Sequence, residues 1–247
     1  MTGSQKATVY VGCAGWSLPR VARDRFPATG TPLQRYAAHL PAVEINSSFY
    51  APHRPATYAR WASSVPPSFR FSVKVPKAIT HERRLLETEQ LLDIFIEEVS
   101  SLESRLGCLL VQLPPRLEFH LDSAQEFLAA LRRRYAGAVA MEPRHPSWFS
   151  AMADGVLRAS QVARVAADPP RCTVDREPAG WKDPVYYRLH GAPRVYFSAY
   201  DDVQLEELSA KLAAHARNGG TAWCIFDNTG AGAATINALA LLQRLQQ

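Results

Sequence analysis

The chain lacks the features that would place it in a membrane, a disulfide scaffold or a zinc-ribbon class. None of its apolar runs approaches the ~20 residues that a membrane-spanning helix needs. Its four cysteines, Cys13, Cys108, Cys172 and Cys224, include no CxxC pair. Three of them lie within or beside apolar segments, where a free thiol behaves as a small hydrophobe. That pattern disfavours a disulfide framework or a structural zinc site. No HExxH motif is present, and no GxGxxG follows the first apolar segment, which counts against a zincin helix and a dinucleotide-binding turn. No repeat, low-complexity tract or linker interrupts the chain. The N-terminal MTGSQKATVYVG lacks the charged-then-apolar layout of a leader, so the expectation is a cytoplasmic protein with no membrane partner. Positive charge is thinly spread. The net +5 mildly favours anionic partners, but Arg132–Arg134 is the sole dense basic run and reads as a solvated helix face.

What the sequence does have is eight short apolar runs, most ending in a charged or amide residue. They are ATVYVGCAGWS from Ala7, AVEIN (42–46), FRFSVKVP (69–76), GCLLVQLPP (107–115), AVAMEPRHP (138–146), ARVAADPP (163–170), PVYYRLHG (184–191) and TAWCIFDN (221–228). Helix-like stretches separate nearly all of them, which is the layout of a (β/α)₈ TIM-like barrel. At 247 residues the chain has the typical size of about 250 for one such domain, so residues 1–247 are expected to form a single domain. A doubly wound open sheet is the alternative fold.

Apolar spacing outlines the helices. Leu33, Tyr36, Ala37 and Leu40 form one stripe, and Trp61 with Val65 anchors a helix beginning near Pro55. The longest is expected over Leu91, Leu92, Phe95, Val99, Leu102 and Leu106. Asp122 and Ser123 are expected to cap the helix of Phe127, Leu128 and Leu131. Val156, Leu157 and Val162 form the next, then Leu205, Leu208 and Leu212, and finally Ile236, Leu239, Leu242 and Leu245. Residues 169–183, PPRCTVDREPAGWKD, carry three prolines and a glycine. The sixth helix is therefore expected to be missing or replaced by a loop.

A barrel of this kind places its chemistry at the carboxyl ends of its strands. In MEPRHPSW, Glu142 and Arg144 share one side of an extended strand, with His145 at the turn. They read either as a rim salt bridge or as a substrate-binding pair walled by Trp148. In YYRLHG, Arg188 and His190 share a face, and Gly191 would let backbone approach a ligand closely. Arg188 suits a carboxylate or phosphate, while His190 is either an acid–base group or a satisfied structural histidine. Lys74 is costly inside a buried strand unless it is paired, with Glu44 or Glu142 as candidate partners, or reaches the rim. Glu44 and Asn46 share a face, followed by Tyr50, His53 and Arg54, while AITHERRL brings His81, Arg83 and Arg84 over the same end. Gln112, Asp227 and Asn228 complete the rim, and the glycines of FDNTGAG could leave backbone N–H groups free to cradle an anion.

These motifs resemble the YecE-like family (domain of unknown function 72). The resemblance rests on GCAGWS, VEINSSFY with RPATYARWA, FRFSVKVPKAITH, LGCLLVQLPP, EPRHPSWF, YYRLHG and FDNTGAGAATINAL, in order along nearly the whole chain. It implies a TIM-like barrel with a polar pocket at the strand carboxyl ends and no established reaction. Family members commonly end the eighth strand in an Asn-Asn-Asp-like run; Asp227-Asn228-Thr229 stands here, so the resemblance carries over the amide and no third-position carboxylate.

The expected function is an enzyme acting on a small anionic or phosphorylated substrate. Lys74, Arg144 and Arg188 would bind the anion, with Tyr50, Asn46, Gln112, Trp148, Asp227 and Asn228 lining the site and Trp16 as a further aromatic wall. Glu142 or Glu44, with His190, would move protons. The alternative is a nucleic-acid-binding protein or metal-dependent phosphodiesterase using Arg54, Arg83 and Arg84 as well. The cofactor is unknown. A catalytic metal on Glu44, Glu142, His145, Asp168, His190 and Asp227 is the lesser expectation, because cations are interleaved among those ligands.

Overall fold

The computed structural model describes residues 8–246. Ten strands form one sheet: β1 (Thr8–Ala14), β2 (Ala42–Ile45), β3 (Arg70–Lys74), β4 (Leu106–Gln112), β5 (Val139–Glu142), β6 (Val162–Arg164), β7 (Ala166–Asp168), β8 (Ala179–Gly180), β9 (Val185–Leu189) and β10 (Thr221–Phe226). Their order is β7-β9-β10-β1-β2-β3-β4-β5-β6-β8, and every pairing is parallel except β6 with β8. Only Val165 separates β6 from β7, and its N–H donates to the Met141 carbonyl at 2.8 Å. β7 at one end of the sheet and β6 near the other, followed only by the short antiparallel β8, are thus one stretch of chain, and eight staves close a TIM-like barrel. β6 and β7 together make the sixth stave, β9 the seventh and β10 the eighth.

Eight α-helices connect the staves: α1 (Pro32–Ala37), α2 (Ser47–Tyr50), α3 (Pro55–Ser63), α4 (Glu89–Ser100), α5 (Leu121–Arg134), α6 (Ala151–Ala159), α7 (Asp202–Arg217) and α8 (Ala233–Leu245). Local chemistry starts several of them. Thr31 and Gln34 form a reciprocal capping box with Pro32 in the first turn of α1, and Asp201 and Gln204 do the same for α7. Between β7 and β9 a 3₁₀ turn (Thr173–Arg176) and the two-residue β8 stand where a helix would be, as the prolines there dictate.

Several helix expectations need correction. Leu106 opens β4 and Val162 opens β6, because each is drawn into the barrel by its strand partners, Phe71 and Val139. Asp122 and Ser123 lie inside α5, whose N-cap is His120 without a side-chain bond. Among the described residues α7, not α4, is the longest helix, at 16 residues. On α8 the buried stripe is Ala234, Ala238 and Leu241, while Ile236, Leu239, Leu242 and Leu245 are only half-buried against the core.

Strand alternation sorts the core into two clusters. Outward-facing Val11, Val43, Val73, Leu109, Met141 and Phe226 pack against the helices. Inward-facing Ala42, Leu110, Ala140, Tyr186, Trp223 and Ile225 fill the barrel, where Trp223 stacks on Tyr186 with ring centroids 6.0 Å apart. Two residues further along each strand, the same inward face presents Glu44, Gln112, Glu142, Arg188 and Asp227.

Candidate active site at the barrel mouth

The centre of this layer is Arg188, whose side chain is 1% exposed. Its Nε lies 3.1 Å from both Glu44 oxygens and its Nη2 2.7 Å from Glu44 Oε1. Nη2 also sits 3.0 Å from Asp227 Oδ2, and Nη1 3.2 Å from Glu142 Oε2. A buried guanidinium is tolerated only when its donors are paired, and three carboxylates do that here. Arg188 was expected to grip substrate; its donors are instead engaged by the protein itself. Glu44 is equally enclosed. Besides Arg188 it takes the Tyr186 hydroxyl at 2.9 Å, which also touches Ser72 Oγ at 2.9 Å. Lying at 0% exposure beneath these partners, Glu44 has no route to the mouth.

Above Arg188, His190 is clamped between two acids, Nε2 at 3.1 Å from Glu142 Oε1 and Nδ1 at 3.0 Å from Asp227 Oδ2. Burial works against its charge, but Glu142 and the two hydrogen bonds outweigh it and hold the imidazole above its ordinary value. Burial likewise opposes ionisation of Glu142, and Arg188, Arg144 and His190 prevail, keeping the carboxyl well below the usual range. Asp227 is lowered in the same way, with burial overcome chiefly by Arg188. Gln112 donates to Glu142 Oε2 at 3.0 Å. The cluster is therefore an imidazole whose protonated form two carboxylates favour.

Two cations at the rim differ from Arg188. Arg144 Nη2 meets Glu142 Oε1 at 2.6 Å and His190 Nε2 at 3.1 Å, while its buried Nε–H has no partner. Lys74 Nζ lies 4.1 Å from the centroid of the Phe49 ring, and among the described residues no carboxylate comes within 4 Å of it. Neither Glu44 nor Glu142 is thus its direct partner. Burial, then the charge of Arg188, push Lys74 down to about 8, against the pull of Glu44, Glu142 and Asp227. His81 is edge-on to the same Phe49 ring, with centroids 4.9 Å apart. It is lowered by burial and by the charges of Lys74 and Arg144, and its Nδ1 is 2.8 Å from Thr80 Oγ1.

Other sequence-selected residues fall elsewhere. Trp148 is 1% exposed, edge-on to Phe119, and its indole N–H donates to the Leu117 carbonyl at 2.9 Å, so it is core rather than wall. Asn228 points off the Asp227 face, its amide donating to Ser198 O and Asn237 Oδ1. Gly191 has φ +87°, and a Cβ there would stand 2.6 Å from Ser198 O; the close neighbour is the following loop rather than a ligand. The Gly230 and Gly232 N–H groups bond Tyr196 O and Thr229 O, so neither is free for an anion. His145 faces Ser147 and Asp168 accepts from Tyr200. Tyr50 is 72% exposed, and Asn46, half-buried at the end of β2, has an unpartnered buried Oδ1. A cleft of about 560 Å³ opens there, lined by Asn46, Trp16, Arg23 and Arg35. His81 stands over this end as the AITHERRL segment implies, whereas Phe49 has no sequence signal and Tyr186 is marked only by its place two residues before Arg188 on the same strand face.

Among the described residues no group of three or more His, Cys, Asp or Glu side chains is arranged to hold a metal ion. The lone pairs of Glu44, Glu142 and Asp227 face arginine or histidine instead. No helix of the described residues is long and apolar enough to cross a membrane.

Fold and mouth together define a (β/α)₈ barrel protein with a charged network at the carboxyl ends of its strands. Residues 10–247 match the family described as "Protein of unknown function DUF72", and the chain belongs to that family. It is 33% identical over 146 residues to UPF0759 protein YecE of Escherichia coli K12, covering 58% of this chain and 50% of that protein. UPF0759 protein YunF of Bacillus subtilis 168 is 30% identical over 152 residues, covering 58% and 52%. The chain thus spans about half the length of the curated relatives it matches. A crystal structure of a DUF72 family protein from Thermotoga maritima superposes with TM-score 0.80 at 25% identity, covering 97% of this chain and 99% of that one. One from Enterococcus faecalis V583 gives 0.79 at 24%, covering 98% and 99%.

Proposed function

We propose that the protein is an enzyme acting on a small anionic or phosphorylated substrate held at the mouth by Arg144 and Lys74. The observation that carries this is incomplete pairing: a buried Nε–H on Arg144 with no acceptor and an ammonium on Lys74 with no carboxylate within 4 Å. An unmet buried donor costs about 1–3 kcal/mol, which an incoming oxyanion would relieve. Three cations (Lys74, Arg144, Arg188) face three carboxylates (Glu44, Glu142, Asp227), and each proton taken up by His190 tips the mouth toward net positive charge for the ligand. His190, set between Glu142 and Asp227, which favour its protonated form and orient it, is the proton donor.

Thermal unfolding in inorganic phosphate against chloride, at fixed ionic strength, tests the binding step. Phosphate is expected to raise the midpoint of the native protein and not that of Arg144→Gln. An equal rise in both, or none in the native protein, rejects the assignment. The nucleic-acid alternative gains little from the loop arginines, since Arg83 pairs with Glu87 and Arg84 donates to the Arg116 carbonyl. Steeply salt-dependent binding of a DNA or RNA duplex would instead favour it.

A further inference from the structure

The geometry points to Lys74 as a covalent nucleophile, an amine that forms an imine with the carbonyl group of an anionic aldehyde, ketone or 2-oxo acid. The proposal rests on the anion-binding pocket for placing the substrate, but gives Lys74 a bond-forming part instead of a merely electrostatic one.

Three placements support it. Lys74 closes β3, so its side chain rises from the inner wall of the barrel at the end where such folds react. Its Nζ rests on an aromatic ring rather than on a carboxylate, whereas Lys77 and Lys211 sit in exposed ion pairs with Glu82 and Glu177 at 3.2 and 2.5 Å. And it shares the mouth with two guanidinium groups, Arg144 and Arg188. An amine desolvated beside other cations is the arrangement that leaves a lysine partly unprotonated and nucleophilic near neutral pH. The groups that set its charge are Arg188, Glu44, Glu142 and Asp227, and His81 packs edge-on against the same Phe49 ring. A structural lysine would gain from an acid partner; the acids of this layer are turned to Arg188, Arg144 and His190 instead.

The step balances without any further reagent. The neutral Nζ lone pair attacks the carbonyl carbon, forming the C–N bond while the carbonyl π pair moves to oxygen. That oxygen takes a proton, for which His190 in its protonated form is the donor, giving a carbinolamine. The hydroxyl then takes the proton that the nitrogen gives up and leaves as water, while the nitrogen keeps its other proton as the iminium, so one external proton is consumed. The positive charge draws electrons from the neighbouring carbon, so loss of a proton there, or of a carboxylate as carbon dioxide, leaves an enamine. Reprotonation of that carbon restores the iminium, and addition of water to its C=N bond returns the free amine, the product and the consumed proton.

The test uses pyridoxal 5′-phosphate, an aldehyde carrying a phosphate, with borohydride as the reductant that fixes the imine as a secondary amine. The chain has five lysines, Lys6, Lys74, Lys77, Lys182 and Lys211, and peptide mass mapping separates them. Lys74 is expected to be labelled first and to about one equivalent, several-fold ahead of the exposed lysines. Labelling should rise as the pH passes about 8, and Lys74→Met should leave only slow surface labelling. Labelling at the surface lysines with Lys74 spared, in the native protein, overturns the proposal. Pyridoxal without the phosphate separates the two ideas. If it labels Lys74 as fast as the phosphate ester and inorganic phosphate gives no protection, the nucleophile stands and the anion pocket falls. If phosphate raises the unfolding midpoint but neither aldehyde reaches Lys74, the pocket stands and the nucleophile falls.

Discussion

Two groups of charged side chains share the barrel mouth, and they have opposite characters. Arg188, Glu44, Glu142, Asp227 and His190 form a closed network in which nearly every donor meets an acceptor. Lys74 and Arg144, at the same level, are left partly unmet. Physical cost separates them. A buried charge that is fully paired supports the fold, whereas one left short of partners must be carried by the rest of the structure. Residues of the second kind are where binding energy remains to be gained, so within the mouth the proposed site rests on the difference in pairing rather than on the presence of charge.

The largest expected effect breaks the closed side. Arg188→Met leaves three carboxylates buried without their shared cation and should cost about 3–5 kcal/mol, the scale for removing one partner of a buried pair. For a chain of this size each kcal/mol moves the unfolding midpoint by roughly 2–4 °C. Urea denaturation checks it, and a loss below about 1 kcal/mol, inside the range of an ordinary substitution, would mean that the network does not hold the barrel mouth together.

Glu142→Gln should act next in size, costing about 1–3 kcal/mol as Arg144 and His190 lose their charged acceptor. The informative readout is His190 itself. In the native protein its imidazole should titrate above 6.5 by proton NMR, and in the variant the midpoint should fall because one carboxylate remains instead of two. The same network fixes the acid response. Glu142 and Asp227 have folded values below their ordinary 4.5 and 3.8, so their contribution is complete above those values. It is lost as the pH falls below them, because the unfolded chain then binds more protons. His190 has the opposite sign: its contribution is complete below about 6.5 and fades as the pH rises through its higher folded value.

Lys74→Met tests the open side, and its sign is reversed. The folded amine, near 8 against 10.5 unfolded, penalises folding wherever it must be charged. Removing it should raise stability at pH 7 by about 1–3 kcal/mol, since each tenfold weakening of proton binding is worth about 1.4 kcal/mol. Native stability should climb between about 8 and 10.5, where the unfolded chain still binds the proton, and the variant should lack that slope. A gain in stability paired with loss of labelling or turnover is the trade expected of a functional group held at a cost. A variant less stable than the native protein at pH 7 would move Lys74 to the structural side of the comparison.

Much of this was legible in the sequence, for a definite reason. Strands buried on both faces read as continuous apolar runs, and the period-2 rule then carries from Ala140 to Glu142 and Arg144, and from Tyr186 to Arg188 and His190. The closing stave was read as one strand; the division of 162–168 at Val165 depends on which neighbour each half meets. What could not be read was partnership. That Arg188 is saturated by Glu44, Glu142 and Asp227 depends on three registers, with neighbours 144, 46 and 39 residues away. Trp148 and Asn228 looked like lining because polar and aromatic residues crowd the strand ends; the turn Pro146–Phe149 and the Asn237 contact take them elsewhere. Phe49, the ring beneath Lys74, lies in the short helix α2, which no periodic pattern marks.

The smallest expected effect sharpens the same contrast with a pair of amides. Asn228 sits at the end of β10 at 0% exposure and donates both amide hydrogens, to Ser198 O and Asn237 Oδ1. Asn46, just after β2, has its Oδ1 buried and unbonded, as Asn228 does, so the made amide bonds are what separate the two. Asn228→Ala removes two made bonds that tie the loop after β9 to α8, at about 1 kcal/mol each. Asn46→Ala removes an acceptor that the fold does not use, and its stability should stay within about 0.5 kcal/mol of the native value. If Asn46 is instead an acceptor reserved for a ligand at the cleft beside Trp16, its variant should bind hydroxyl-bearing phosphate esters less tightly, with inorganic phosphate unaffected, while unfolding at an unchanged urea midpoint. A destabilisation equal to that of Asn228→Ala would show that Asn46 belongs with the closed network, and that the open side of the mouth is limited to Lys74 and Arg144.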